Sequence, residues 1–452
     1  MRNYILRIFT ISLSCILCAG CGTIRNARNA QNASTLLPGE KTVTAAELGL
    51  NTNSVLNLTN AIKIALTYNP AVLQSRQSLV AASSQIRQAT ASYKPSISAS
   101  AGYNRRASNS GAATASNDSS DSYSASLGLD ILIYDFGKTP AAVKQAVLRG
   151  LAAEENVRGT QNDTVFAVRT AFFELAKAQE LRQVREDAVR QSKAHLDQAK
   201  SFAEVGLRTR YDVTKADVDF GNAQLALTDA ENALVSARAV LNLSIGLAED
   251  PGFIIAPIPT QEVSGNALEL MTLAKQHHPG LLVLRAQEQI SSAGVDQTIA
   301  DLYPALRLNT GYALAGSSFP LVWNWVASLQ SSMELFTGSR KTAAIDIAVA
   351  DLRAARSAVA AREQLIHLDL TRALSTRDTA RHRLDLSEFI VRQAAETLEL
   401  VNERYKQGKA SSVDVTDAQT ALTQAMADRV KARFDQQSAT ASIMHAIGDE
   451  QP

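Results

Sequence analysis

Hydrophobic and polar residues follow two different periods along this chain, and the periods change in long blocks. In 96–104, Ile97, Ala99, Ala101 and Tyr103 alternate with Ser96, Ser98, Ser100, Gly102 and Asn104. In 122–133, Tyr123, Ala125, Leu127, Leu129, Ile131 and Ile133 alternate with Ser122, Ser124, Ser126, Gly128 and Asp130. The period of two returns in Leu306, Leu308, Tyr312 and Leu314, and again in Leu321, Trp323, Trp325, Ala327, Leu329, Met333 and Leu335. These blocks predict four strands, over about 96–106, 122–134, 305–315 and 321–336, each apolar on one face and Ser, Asn or Gln on the other.

Elsewhere the step is three and four. Val213, Ala216, Phe220, Ala223, Leu227, Ala230, Leu234, Ala237 and Leu241 form an unbroken seam, as do Val165, Val168, Phe172 and Leu175, and Leu398, Val401 and Tyr405. This is coiled-coil spacing, and its many Ala positions permit close helix approach. No Pro lies between Pro140 and Pro251 or between Pro320 and Pro452, and both spans are rich in helix formers. Long helices are predicted over about 138–203, 212–246, 340–406 and 413–447. Residues 141–203 alone would make a rod of roughly 95 Å. Gly206 and Gly408 mark the turns between paired helices, with Asp212 and Asp414 near the start of each returning helix.

The two sets of blocks are one unit written twice. Asn69-Pro70, Arg76, Pro95 and Gly102-Tyr103 recur 209 positions later as His278-Pro279, Arg285, Pro304 and Gly311-Tyr312. Gly206, Asp212-Val213-Thr214, Ala216 and Ile245-Gly246 recur 202 positions later as Gly408, Asp414-Val415-Thr416, Ala418 and Ile447-Gly448. The repeats run over 58–248 and 267–448, joined by a linker at 249–266. The change of offset falls inside the strand hairpins, whose connecting loop Arg105–Asp121 is expected to be mobile and outside.

The N-terminus reads as a secretory signal, 1–20, with Arg2 and Arg7 ahead of the apolar run from Ile8 to Ala19. Cys21 after Ala19-Gly20 resembles a lipoprotein acylation site, although Cys18 stands where a Leu is usual; simple secretion is the alternative. Residues 21–57 would then form a lipidated N-terminal segment. No Cys follows Cys21, so the mature chain forms no internal disulfide. The formal net charge is +1 without a basic block, which argues against nucleic acid. The export signal and the aromatic residues of the hairpins favour transmembrane β-strands over a soluble sheet, with Tyr103, Tyr123, Trp323 and Trp325 at the lipid interface of the outer membrane.

Four strands cannot close on themselves, and an open edge in hydrocarbon leaves backbone groups unpaired. Two copies give eight strands, whose interior fills with side chains; three give twelve, which leave a lumen. At this point the residues resemble the TolC-type outer-membrane efflux proteins. The resemblance covers about Leu58 to Gly448 and rests on Ala61-x-x-x-Ala65-Leu66-x-x-Asn69-Pro70, Tyr134-Asp135-x-Gly137, and Arg404-Tyr405-x-x-Gly408 followed by Asp417-Ala418-Gln419. It implies a mainly α protein with membrane β: a homotrimer whose twelve-stranded barrel, four strands per chain, continues as a long α-helical barrel across the periplasm. It also implies a periplasmic adaptor (membrane fusion) protein and an inner-membrane pump of resistance-nodulation-division or ABC type. Lipidated members, mostly partners of the former pumps, carry an acylated Cys like Cys21.

No catalytic constellation is present, and nothing calls for a cofactor or a metal. His277-His278 reads as helix-end punctuation before Pro279. Chemistry is expected at the helix tips instead. Asp414 and Asp417 lie one turn apart, so in a trimer they would stack as carboxylate rings that favour cations. The resemblance places Asp417 at a gate position; ordinary helix capping is the other reading for either residue. Gly206, Leu207 and Arg208 of the first tip and Gly408, Lys409 and Ser411 of the second are expected to contact the adaptor. Tyr405 has Ala203 as its first-repeat counterpart, so the first tip is expected to bind less tightly. The conduit reading leaves small-molecule or metal-ion efflux beside type I protein secretion. A non-pore periplasmic coiled-coil lipoprotein is the alternative from another class, and it leaves the four strands unexplained.

Overall fold

A computed structural model describes residues 54–108, 118–247, 249–257 and 266–448. The signal, Cys21 and nearly all of the N-terminal segment lie outside the described residues, as do parts of the first hairpin loop and of the linker. In chain order the elements are β1 (Val55–Leu56), α1 (Leu58–Tyr68), α2 (Pro70–Thr90), β2 (Ser96–Ser108), β3 (Asp118–Tyr134), α3 (Lys138–Glu204), α4 (Arg210–Ile245), β4 (Ile254–Ile255), α5 (Ala267–His277), α6 (Pro279–Ala300), β5 (Ala305–Gly316), β6 (Val322–Ser332), α7 (Arg340–Lys406) and α8 (Ser412–Ile447). A short 3-10 turn, Ala91–Tyr93, leads into β2.

The four long helices start and end within two residues of the predicted bounds. Helices α3 and α7, each 67 residues, run from the ends of the strands to the hairpin turns at Gly206 and Gly408. Shorter helices pack between and beside them: α4 and α2 against α3, and α8 and α6 in the groove between α3 and α7. The pairs α4/α2 and α8/α6 are spliced end to end. Gly246 closes α4 at φ 92°, and a Cβ there would stand 3.1 Å from the Asn69 Cα. Gly448 closes α8 at φ 77°, and a Cβ there would stand 3.0 Å from the His278 Cα. Only glycine offers both the left-handed backbone and the space. On the other side of each junction Asn69 and His278 cap α2 and α6 ahead of a proline at the first helical position. Asn69 Oδ1 accepts from the Ala71 amide at 2.9 Å and its Nδ2 donates to the Ser244 carbonyl at 2.8 Å. His278 Nδ1 accepts from the Gly280 amide at 3.1 Å, so it is indeed punctuation. Burial and the neighbouring Arg362 guanidinium push its pKa down to about 4, which keeps that nitrogen free to accept.

The largest core lies at mid-length. Phe172, Leu175, Val168, Leu241, Ile245, Ile62, Leu56, Phe253 and Phe434 pack together from α3, α4, α1, β1, the linker and α8. Strand β1, at the end of the N-terminal segment, and β4, in the linker, form a parallel pair beside this core. Helix α5 packs elsewhere, its Leu270 against Leu370 of α7 and Ile443 of α8. The α3 seam residues Val165, Val168, Phe172 and Leu175 are all buried.

The four longer strands form one antiparallel sheet in the order β2-β3-β5-β6. Three bounds differ from expectation. Strands β2 and β3 continue into the predicted loop, where Arg105 pairs with Asp121 across the strands at 3.8 Å; backbone pairing carries on past the end of the hydrophobic pattern. Strand β6 stops at Ser332 rather than near 336, and Leu335 and Phe336, both 89% exposed, lie in the connection to α7. There the Glu334 carboxylate turns towards the α7 start, accepting from Arg340 at 2.9 Å. Tyr123 pairs across from Tyr103, and Trp325 from Tyr312. The two hairpins therefore coincide below these pairs, and the change of repeat offset lies in their outer tips.

Candidate functional site

The ends of the two long hairpins are built alike. At the first tip the Leu207 amide donates to the Phe202 carbonyl at 2.9 Å; at the second the Lys409 amide donates to Arg404 at 2.8 Å. Each is a six-to-one closure through a left-handed glycine, Gly206 or Gly408. The returning helices open with reciprocal capping boxes. Asp212 Oδ2 accepts from the Thr209 amide at 3.2 Å, and Asp414 Oδ2 accepts from the Ser411 amide at 2.7 Å and hydroxyl at 2.9 Å. The Ser411 amide and hydroxyl hold the Asp414 carboxyl below its ordinary value, so it stays ionised to lower pH.

Asp414 thus caps α8, as its repeat counterpart Asp212 caps α4. Asp417 is different. It is exposed on the second turn of α8 and has no ion-pair partner among the described residues. Its first-repeat counterpart is Lys215, which pairs with Asp219 at 2.6 Å. Leu207 is 70% exposed, and Gly206, Gly408, Lys409 and Ser411 are exposed as well. Arg208 is not free in this way. Its guanidinium donates to the Ala410 carbonyl at 2.8 Å and lies 4.4 Å from the centre of the Tyr405 ring, tying one tip to the other.

The sequence reading missed what lies beneath. Tyr405 is buried against Phe202 and His195, at 5.9 and 5.4 Å between ring centres. His195 is itself buried and shares a hydrogen bond of 3.0 Å with Ser412 Oγ. Thr416 of α8 donates to Asp219 of α4 at 3.0 Å. The asymmetry between Tyr405 and Ala203 was the available signal: the aromatic ring occupies the space between the two hairpins once, not twice.

At the opposite end, Tyr103, Tyr123, Trp323 and Trp325 share one face of the sheet with Ile97, Leu127, Leu129 and Leu308. Tyr103 and Tyr123 lie 5.1 Å apart, and Phe319 adds a third ring 5.1 Å from Tyr123. A second belt, Tyr134, Phe136 and Tyr303, stacks where the strands give way to helices. The other face carries Ser98, Ser100, Ser124, Ser126, Asn309, Asn324 and Ser328, with one ion pair of 3.0 Å between Arg307 and Asp130. An apolar band between two aromatic belts, backed by a hydroxyl-rich face, is the pattern of a membrane barrel wall. Among the described residues no helix is long and apolar enough to cross a membrane.

Known proteins share this architecture. The chain is 22% identical over 398 residues to the outer membrane efflux protein BepC of Brucella suis biovar 1, covering 86% of this chain and 85% of that one. It is 23% identical over 423 residues to the outer membrane protein TolC of Vibrio cholerae, covering 89% and 94%. Among solved structures, VceC of Vibrio cholerae aligns with a TM-score of 0.75 at 19% identity, covering 86% of this chain and 96% of that chain. The Campylobacter jejuni CmeC outer membrane channel aligns at 0.79 and 15%, covering 93% and 91%. The model of the family described as outer membrane efflux protein matches residues 61–247 and 270–449, one stretch per repeat, and the chain belongs to that family.

Proposed function

We propose that three copies of this chain join their sheets into one twelve-stranded barrel and their helices into one tube, making a passive conduit from the periplasm to the exterior. The observation that carries this is the pair of bare outer edges, on β2 and β6, at the two sides of a sheet with an exposed apolar face. In hydrocarbon each bare edge group costs several kcal/mol, and β2 of one copy against β6 of the next removes every edge. Three copies rather than two leave a lumen, and its Ser and Asn lining suits passage without tight binding. The tips Gly206, Leu207, Gly408, Lys409 and Ser411 are the surface offered to a periplasmic adaptor, through which an inner-membrane pump of resistance-nodulation-division or ABC type would deliver cargo. Relatives 21–22% identical are named for efflux of solvent, toluene and antibiotic, which supports small molecules as the cargo. Acylation of Cys21 would anchor the assembly to the outer membrane.

Asp417 is the gate residue in this reading, because, unlike Asp212 and Asp414, it caps no helix, and it has no ion-pair partner among the described residues. Three copies form a ring of like charge at the mouth, which favours cations. Single-channel recording of the purified protein in planar bilayers tests both statements. Discrete conductance steps are expected, with Asp417→Ala raising conductance and weakening cation preference. Steps that are identical in the variant would remove Asp417 from the gate; no steps at all would remove the conduit.

A further inference from the structure

The two hairpins of one chain meet beneath their tips through a contact that neither capping nor the gate carboxylate uses. His195, on α3, is 4% exposed. Its Nε2 lies 3.0 Å from Oγ of Ser412, the first residue of α8, and its Nδ1 is buried with no hydrogen-bond partner among the described residues. The groups facing the ring come from four elements: Asp212, Lys215 and Asp219 from α4, Tyr405 from α7, Ser412 from α8, and Arg208 of the first turn, held over Tyr405. No carboxylate touches the imidazole. Asp219 is taken by Lys215 and Thr416, and Asp212 by its capping box. A neutral imidazole fits this site; an imidazolium would be a buried charge with one donor unpaired.

We propose that His195 is a pH-responsive strut: neutral, it holds the first hairpin against the second and keeps the mouth narrow; protonated, it leaves its site and lets the mouth widen. The proposal rests on the conduit reading and adds a regulator to it. Burial holds the His195 pKa below its ordinary 6.5, while the coulombic pull of Asp219 and Asp212 opposes this only in part. The sign follows from linkage. The packed tip binds a proton less readily than a loosened one, so its advantage is full above 6.5 and is lost as the pH falls below that value. Each unit of depression gives up to about tenfold in the ratio of loosened to packed tips. Burial moves the Tyr405 phenol upward, further from that range.

The test uses spin labels at Leu207→Cys and Lys409→Cys, both on exposed tip positions, in the assembled full-length protein. Tip-to-tip distances and bilayer conductance are followed from about pH 8 to about pH 5, the range over which an imidazole changes charge. In the parent, distances should lengthen and broaden below 6.5 and conductance should rise several-fold. His195→Gln, which keeps a group able to bond Ser412 and cannot titrate, should hold the narrow distances and low conductance throughout. Ser412→Ala, which keeps the imidazole and loses its partner, should move the midpoint upward and retain the response. The same pH response in His195→Gln, or none in the parent, overturns the strut. A His195-dependent tip movement without conductance in any variant supports the strut and overturns the conduit.

Discussion

Ser339 stands where Gly137 stands in the first repeat, and both residues lead into a 67-residue helix through left-handed backbone, at φ 68° and 98°. Glycine takes that conformation freely and serine does not, at a cost of about 1 kcal/mol. The first junction is also capped by Asp135, whose carboxylate accepts from the Thr139 amide at 2.7 Å; Thr337 in its place makes no such bond among the described residues. Ser339→Gly is therefore expected to stabilise the protein by roughly 0.5–1 kcal/mol, read as a higher temperature of thermal unfolding. His278 makes a second prediction at this scale. Its pKa of about 4 in the folded chain lies below the ordinary 6.5, so stability is full above 6.5 and falls as the pH drops towards 4. That loss is on the order of 3 kcal/mol at most. His278→Asn, which copies Asn69, should keep the cap and lose this acid-sensitive step, and unchanged acid sensitivity in the variant would refute the assignment. These residues show what the sequence could reveal. Asp414 was legible as a possible cap because its partner Ser411 is three positions away. Arg208 was read only as an adaptor-contact tip residue; its bond to the Ala410 carbonyl, 202 positions away, is recorded by no local period.

Helices and strands announced themselves where one period governed many residues. The α4 seam from Val213 to Leu241 and the alternation from Tyr123 to Ile133 gave bounds within a few residues. Where an element is short, its period repeats too few times to stand out: α1 and α5, 11 residues each, bury only Ala61, Ile62 and Ala65, and Leu270 and Ala274, and neither was read as an element. The repeated Ile-Gly and Asn-Pro or His-Pro pairs were visible, but their meaning was not. They are the two sides of a splice, where the end of one helix abuts the start of another from far along the chain. This makes Gly246 and Gly448 the least replaceable residues of their helices. An alanine at Gly448 would bring its Cβ to 3.0 Å from the His277 carbonyl oxygen as well as the His278 Cα, both backbone atoms that cannot swing away. Gly448→Ala and Gly246→Ala should each cost about 1–3 kcal/mol in thermal or denaturant unfolding. Gly221, which lies within α4 with open space around its would-be Cβ, serves as the control. Gly221→Ala should stabilise by about 1 kcal/mol.

In the proposed ring, one chain is a wedge rather than a finished body. Helices α4 and α7 lie on its two flanks: α4 packs mainly on α3, and α7 mainly on α8 and α6. Each keeps a second apolar stripe open. Val218, Leu225, Val235 and Leu243 of α4 are more than half exposed, as are Leu386, Phe389 and Leu400 of α7. A helix with apolar residues on two faces is made to pack twice. The same flanks that carry these stripes end above in the bare strands β2 and β6, so one rotation joins helix to helix and strand to strand, and repeating it closes a ring. Closure demands that both flanks succeed together. A single charge on the α4 stripe, Leu225→Asp, should therefore shift the detergent-solubilised protein from trimer to monomer, and Phe389→Asp on the α7 stripe should do the same from the other side. Mass measurement of the solubilised particles reads the outcome. Because each variant retains one intact flank, mixing the two tests the geometry: the unaltered faces can meet across only one interface, so pairs are expected and closed rings are not. A full-mass ring from either variant alone would place the contact between copies elsewhere on the chain.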